Sequence, residues 1–290
     1  MGGGTWTTKS FNSYTTSVRG MSADNFVTMD ACSFNTQDIY KATSIDTALN
    51  PMNIMRECVD SEEHPNTIPV ILALDVTGSM GTSSVAVAQK LNEIMTNIYN
   101  SNDVKDVEFC IMAIGDCAYD YAPIQMSQFE SDIRIAEQLD KVWFEGHGGG
   151  NNFESYTAAW YMGLNHCKLD CWNRGKKGII ITLGDEMPNP YLPFRMNKFT
   201  GDKNQANIET EDLLSAVREK FDIYHISVND PNSSYRFNNR SHNLDEAWTK
   251  LLGKDCYFIA TLNDLGKIIS DIIINRETTT FTTPVNEVSW

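Results

Sequence analysis

The stretch Val70-Ile71-Leu72-Ala73-Leu74-Asp75-Val76-Thr77-Gly78-Ser79, closed by Met80 and Gly81, decides how this chain reads. Val70 to Leu74 is an apolar run without a helical period. That is the pattern of a strand buried on both faces, although periodicity alone does not exclude a buried helix. The run ends at Asp75 and passes into the small hydroxyl residues Thr77 and Ser79. From about Thr82 a helix is expected, because Val85, Ala88, Leu91, Met95 and Ile98 recur at its spacing. Strand, polar turn and helix form the unit of an α/β sheet, which binds ligands beyond the carboxyl ends of its strands. One carboxylate and two hydroxyls at alternate positions can face one crevice, and such hard oxygen donors suit Mg²⁺ or Mn²⁺.

Two later stretches join this one. Gly148-Gly149-Gly150-Asn151-Asn152-Phe153-Glu154-Ser155 is a glycine loop leading into a helix, and Thr182-Leu183-Gly184-Asp185 ends the most apolar strand. The three together resemble the metal-ion-dependent adhesion site (MIDAS) of the von Willebrand factor A (vWA) family, which has Asp-x-Ser-x-Ser, a glycine loop and a third-loop Asp. The resemblance runs from about Asn66 to Arg276. It implies a Rossmann-like, doubly wound, mostly parallel six-stranded sheet of order 3-2-1-4-5-6, with strand 3 antiparallel at an edge and helices on both faces. Helices alternating with strands imply a parallel sheet independently. The expected organisation is an N-terminal extension over 1–66, partly extended, a vWA-like domain over 67–276, and a Thr-rich tail over 277–290.

The resemblance also assigns residues. Thr77 and Ser79 would ligate the metal directly, Asp75 directly or through water, and Asp185 from the third loop. Asn151 stands where the family has Thr or Asp. Its amide oxygen can ligate a hard cation but brings no charge, and Asn152 would take its place if the loop shifts by one. Glu154 matches a family Glu. Asp116 and Asp120 should lie near the same rim. Each has a plainer structural reading: Thr77 and Ser79 as a turn and helix cap, Glu154 as an acidic first-turn residue, and Asp116 and Asp120 as solvated loop carboxylates.

Composition narrows the function. The 290-residue chain can bury a full core, and its net charge of −15 opposes nucleic-acid binding and docking on anionic membranes. No apolar run is long enough to span a bilayer, and the first residues carry no apolar signal region. The seven cysteines, an odd and scattered set, are expected to be reduced in a cytoplasmic protein. His166, Cys167 and Cys171 raise a zinc site, weighed against ordinary core thiols. His147-Gly148-Gly149-Gly150 looks like an esterase oxyanion loop, but the nucleophile elbow that chemistry needs is missing.

The remaining segments carry local expectations. Thr5 to Thr8, Phe11 to Thr16 and Thr278 to Thr283 mix Thr with aromatics and are expected to be extended. Thr36 to Ala42 reads as a short helix, Tyr119 to Met126 as an edge strand, and Thr210 as a helix cap. Long loops are expected over 186–208 and 230–243. The functional expectation is a non-catalytic, metal-dependent protein-binding module. A bound cation recruits a carboxylate of a partner protein, for which the resemblance suggests an AAA+ ATPase or a kinase. The alternatives are a metal-dependent hydrolase using the same site and a structural or assembly component.

Overall fold

The computed structural model describes residues 4–101, 104–146, 153–230 and 241–279, with backbone alone for 241–242 and 277–279. The six strands of the central sheet, numbered here in chain order, are β1 Ile68–Asp75, β2 Val107–Ile114, β3 Ile124–Met126, β4 Gly178–Gly184, β5 Phe221–Asn229 and β6 Tyr257–Thr261. They lie in the order β6-β5-β4-β1-β2-β3, and only the β2–β3 pair is antiparallel. This is the expected 3-2-1-4-5-6 sheet with its antiparallel edge, a vWA-like, Rossmann-like architecture.

Period-two alternation divides the core. Val70, Leu72 and Leu74 of β1 point to one face, where they meet Val85, Leu91 and Met95 of the Gly81–Asn100 helix and Ile269 and Ile273 of the Leu265–Thr279 helix. Ile71 and Ala73 point to the other, toward Trp160 of the Thr157–Asn165 helix, Leu213 and Val217 of the Thr210–Arg218 helix, and Trp248 of the Ser241–Leu252 helix. Each large apolar side chain buried this way contributes roughly 1.5–3 kcal/mol.

The N-terminal segment differs from expectation. Thr8–Tyr14 is an α-helix capped by Thr7, whose hydroxyl accepts the Ser10 N–H, and Thr15–Arg19 continues it as a π-turn. Burial overrides the strand propensity of Thr and aromatics: Trp6, Phe11 and Phe26 join the same core as Val85 and Leu91. Arg19 seals this layer. Its guanidinium donates to both Asp140 oxygens at 2.9 and 2.7 Å and lies 4.4 Å from the centre of the Phe26 ring. Within 1–66, extended pairing is seen at Arg56–Cys58, which runs parallel to Cys167–Leu169.

Smaller differences follow the same logic. The helix expected near Thr36 is one turn, Thr36–Ile39, and the edge strand is only Ile124–Met126. The 186–208 segment is not structureless: Tyr191–Leu192 pairs with Ile208–Glu209, and Asn197–Thr200 is a helical turn. Glu209, not Thr210, is the N-cap of its helix, and the buried Thr210 hydroxyl donates to the Asn189 carbonyl at 2.5 Å. Of the 230–243 segment, residues 241–243 begin a helix and 231–240 lie outside the described residues. The final helix runs to Thr279, so Thr278 and Thr279 are helical rather than extended, and residues 280–290 lie outside the described residues. Among the described residues no helix is long and apolar enough to cross a membrane.

Candidate metal centre

Sheet register brings the loops together. Leu74 of β1 pairs with Leu183 of β4, so Asp75 stands level with Gly184 and next to Asp185. On its other side Asp75 pairs with Ile114, two residues before Asp116. The short strand Phe153–Glu154 runs parallel to Met187–Pro188 and so sets Glu154 beside the third loop. Gly78 abuts Gly146 so closely that a Cβ there would lie 3.0 Å from the Gly146 carbonyl oxygen.

Four of the expected ligands form one chain of oxygens. The Thr77 hydroxyl donates to Asp75 Oδ1 at 2.6 Å, and the Thr77 N–H reaches the same oxygen at 2.9 Å. Thr77 Oγ1 and Ser79 Oγ lie 3.5 Å apart, and the Ser79 hydroxyl donates to Asp185 Oδ1 at 3.0 Å. Neighbouring ligands on an octahedral Mg²⁺ stand about 2.9 Å apart, given metal–oxygen bonds near 2.0–2.1 Å. Hydroxyl and carboxylate oxygens at 3.0–3.5 Å in this arrangement therefore fit a small divalent cation. Asp75, Thr77 and Asp185 are buried, whereas Gly78 is exposed and Ser79 half-buried, so the site opens at its hydroxyl end.

Electrostatics reinforces the fit. Burial first, then the Asp185 charge, pushes the Asp75 carboxyl well above the usual range. Glu154 is raised further, by burial and then by Asp75, Asp116, Asp120 and Glu186, and its Oε2 is buried without a hydrogen-bond partner. Asp116 and Asp120 thus belong to the same electrostatic neighbourhood. They also build the β2–β3 turn: Asp120 accepts the Asp116 N–H at 2.7 Å, and Asp116 accepts that of Ala118 at 2.7 Å. Asn151 and Asn152 lie outside the described residues. No cluster of three or more His, Cys, Asp or Glu side chains able to hold an ion occurs among the described residues, so the donor set depends on its hydroxyls. His166 faces the Ile54 carbonyl and Asp202 at 2.9 and 2.8 Å.

One residue of the site was not anticipated. Tyr156, fully buried, donates its hydroxyl to Asp75 Oδ2 at 2.9 Å and accepts the Glu186 N–H at 3.3 Å. Its ring is braced edge-on by Trp248 and His225, which stack on each other 3.6 Å apart. Trp248 in turn donates its indole N–H to the Glu186 carbonyl at 3.0 Å. Gly184 makes room for the phenol, since a Cβ there would lie 1.9 Å from its oxygen. The sequence signals were slight: a Tyr beside the expected Ser155 and a lone His in an apolar strand.

These features define a vWA-like α/β domain with an oxygen-rich crevice at the carboxyl end of its sheet. No protein-family model and no curated protein matches the chain. Among solved structures, the open conformation of the pilus adhesin SpaC from Lactobacillus rhamnosus GG aligns with a TM-score of 0.51 and 12% identity, over 79% of this chain and 31% of SpaC. The vWF domain of the type V pili tip protein Mfa5 from Porphyromonas gingivalis aligns with a TM-score of 0.47 and 10% identity, over 75% of this chain and 97% of that domain. The chain thus corresponds to under a third of SpaC, and the likeness is one of fold.

Proposed function

We propose that this chain is a metal-dependent protein-binding module of the vWA type. Thr77, Ser79 and Asp185, with Asp75 directly or through water and with Asn151 or Asn152 from the glycine loop, would hold Mg²⁺ or Mn²⁺. The reading is carried by the continuous run of oxygens from Asp75 through Thr77 and Ser79 to Asp185 at the strand ends. A bound ion would supply an open coordination position for a carboxylate of a protein partner. Asp75 accepts the Thr77 proton and so turns a hydroxyl lone pair toward the crevice, while Asp185 does the same for Ser79.

The surroundings support a binding surface. Tyr121 is 79% exposed, and Tyr119 and Phe194 are more than half exposed. Tyr121 is tied through its N–H to Glu145, next to the Gly146 that abuts Gly78. Arg195, beside Phe194, donates to the Cys117 and Ala118 carbonyls and so fixes this rim. Aromatic side chains of this kind are enriched where proteins meet. Seven free thiols, five of them buried, support a reducing, cytoplasmic setting. An AAA+ ATPase or kinase as partner rests on the family resemblance alone.

The test is a pull-down from the native host using protein stripped of metal, with Mg²⁺ and then with chelator. Partner capture that depends on the ion, and is lost in a folded Asp185→Ala variant, is expected. Capture indifferent to chelator would sink the metal mechanism, and turnover of simple esters with Mn²⁺ would favour the hydrolase.

A further inference from the structure

Asp75 has both carboxylate oxygens engaged by the protein. Oδ1 takes two donors from Thr77, its N–H and its hydroxyl, which occupy that oxygen's two lone pairs. Oδ2 takes the Tyr156 hydroxyl at 2.9 Å. A carboxylate held at both ends cannot turn about its Cβ–Cγ bond without giving up a charge-assisted hydrogen bond. The phenol is equally fixed. Its ring is boxed by Trp248 and His225, its oxygen accepts the Glu186 N–H, and it lies in the space left by the missing Gly184 side chain.

We propose that Tyr156 is a positioning residue that locks Asp75 as the acceptor of the Thr77 proton and keeps it out of the metal's ligand set. The inference rests on the metal-binding reading above and deepens it. With Asp75 so held, Asp185 is the one charged direct ligand among the described residues, beside the neutral hydroxyls of Thr77 and Ser79. The ion then keeps most of its positive charge for an incoming carboxylate. Tyr156 thereby sets the balance between holding the metal and holding the partner.

The Tyr156→Phe variant tests this, because it keeps the ring and its packing and removes only the lock. Asp75 Oδ2 is then a buried acceptor without a donor, free to swing to the ion. Mn²⁺ affinity is read by electron paramagnetic resonance, and acetate serves as the carboxylate probe. The metal-free variant should melt below wild type, yet bind Mn²⁺ about tenfold more tightly, the scale of a freed buried acceptor. Acetate should bind the Mn²⁺-loaded variant several-fold more weakly. The gain in Mn²⁺ affinity should vanish in the double variant Tyr156→Phe, Asp75→Asn, since it needs a carboxylate oxygen.

A second variant does not depend on the tyrosine. Asp75→Asn alone should weaken Mn²⁺ by about 10–100-fold, the range for a residue that orients ligands, and Asp185→Asn by more, as befits a residue outside the ligand set and one inside it. Equal or weaker Mn²⁺ binding by Tyr156→Phe, or equal losses in the two Asp→Asn variants, would overturn this inference alone. Failure of the wild-type protein to bind Mn²⁺ at all would overturn the metal reading with it.

Discussion

Gly184→Ala tests the architecture behind the site without any metal present. A Cβ at position 184 would stand 1.9 Å from the Tyr156 hydroxyl oxygen and 2.5 Å from the carbon that bears it. Real Cβ contacts are never that short, so one of the two must move. Tyr156 cannot retreat easily: it is fully buried, with the Trp248 and His225 rings centred 5.3 and 5.0 Å away. Position 184 cannot move freely either, because Gly184 pairs with Ser227 inside the sheet. Overpacking of a rigid core costs about 1–3 kcal/mol. Displacing the phenol also leaves Asp75 Oδ2 without its donor, a further ~1–3 kcal/mol. The expected loss is therefore about 2–6 kcal/mol, read as a lower urea midpoint at unchanged slope. Gly175→Ala is the control. It sits at φ +70° with nothing within 4 Å, so backbone strain alone acts, and the loss should be only about 1–2 kcal/mol. A Gly184→Ala protein within 1 kcal/mol of wild type, on the scale of ordinary surface substitutions, would refute the argument that the missing side chain is what admits Tyr156.

Other outcomes follow from the same structure. Mg²⁺ at a hundredfold excess over its Kd should stabilise the stripped protein by about 2.7 kcal/mol, seen calorimetrically as a higher Tm, and Asp185→Ala should abolish the shift. Phe11→Ala should cost roughly 3–5 kcal/mol in urea unfolding, as large-to-small changes in a core do, because the N-terminal helix is part of the main core. Asp140→Ala should cost a similar ~3–5 kcal/mol by leaving Arg19 buried and unpaired; a loss below about 1 kcal/mol for either would show that this layer is not integral. Burial raises the Asp202 carboxyl, but hydrogen bonds led by that from His166 outweigh it and hold the group below its usual range. A depressed folded-state value stabilises above the unfolded value, near pH 3.9, and that contribution is lost as pH falls through the folded one. The stability gap between wild type and Asp202→Asn should therefore close as pH falls through the folded-state range of the carboxyl, and a gap unchanged in acid would contradict this.

What could be read from the sequence was what is local. Asp75, Thr77 and Ser79 alternate directly after an apolar run, and Asp185 ends another, so their convergence needs only two adjacent parallel strands. The sheet order followed from resemblance and from the alternation of helices and strands. Propensity misled at Thr8–Tyr14, where burial of Phe11 and a Thr7 cap outweigh the preference of Thr and aromatics for strands. Tyr156 was illegible for a different reason. Its partner Asp75 is 81 positions away, and their contact exists only because position 184 carries no side chain. No spacing rule connects three such residues. The proposed metal donors are therefore written in short patterns, while the groups that would orient them are distributed across β1, β4, β5, the turn before the Thr157–Asn165 helix and the Ser241–Leu252 helix. It follows that a transplanted Asp-Val-Thr-Gly-Ser loop alone should not reproduce the site. Without Tyr156, and the Trp248–His225 stack behind it, the loop holds the Asp75 carboxylate through Oδ1 alone, by the Thr77 N–H and hydroxyl.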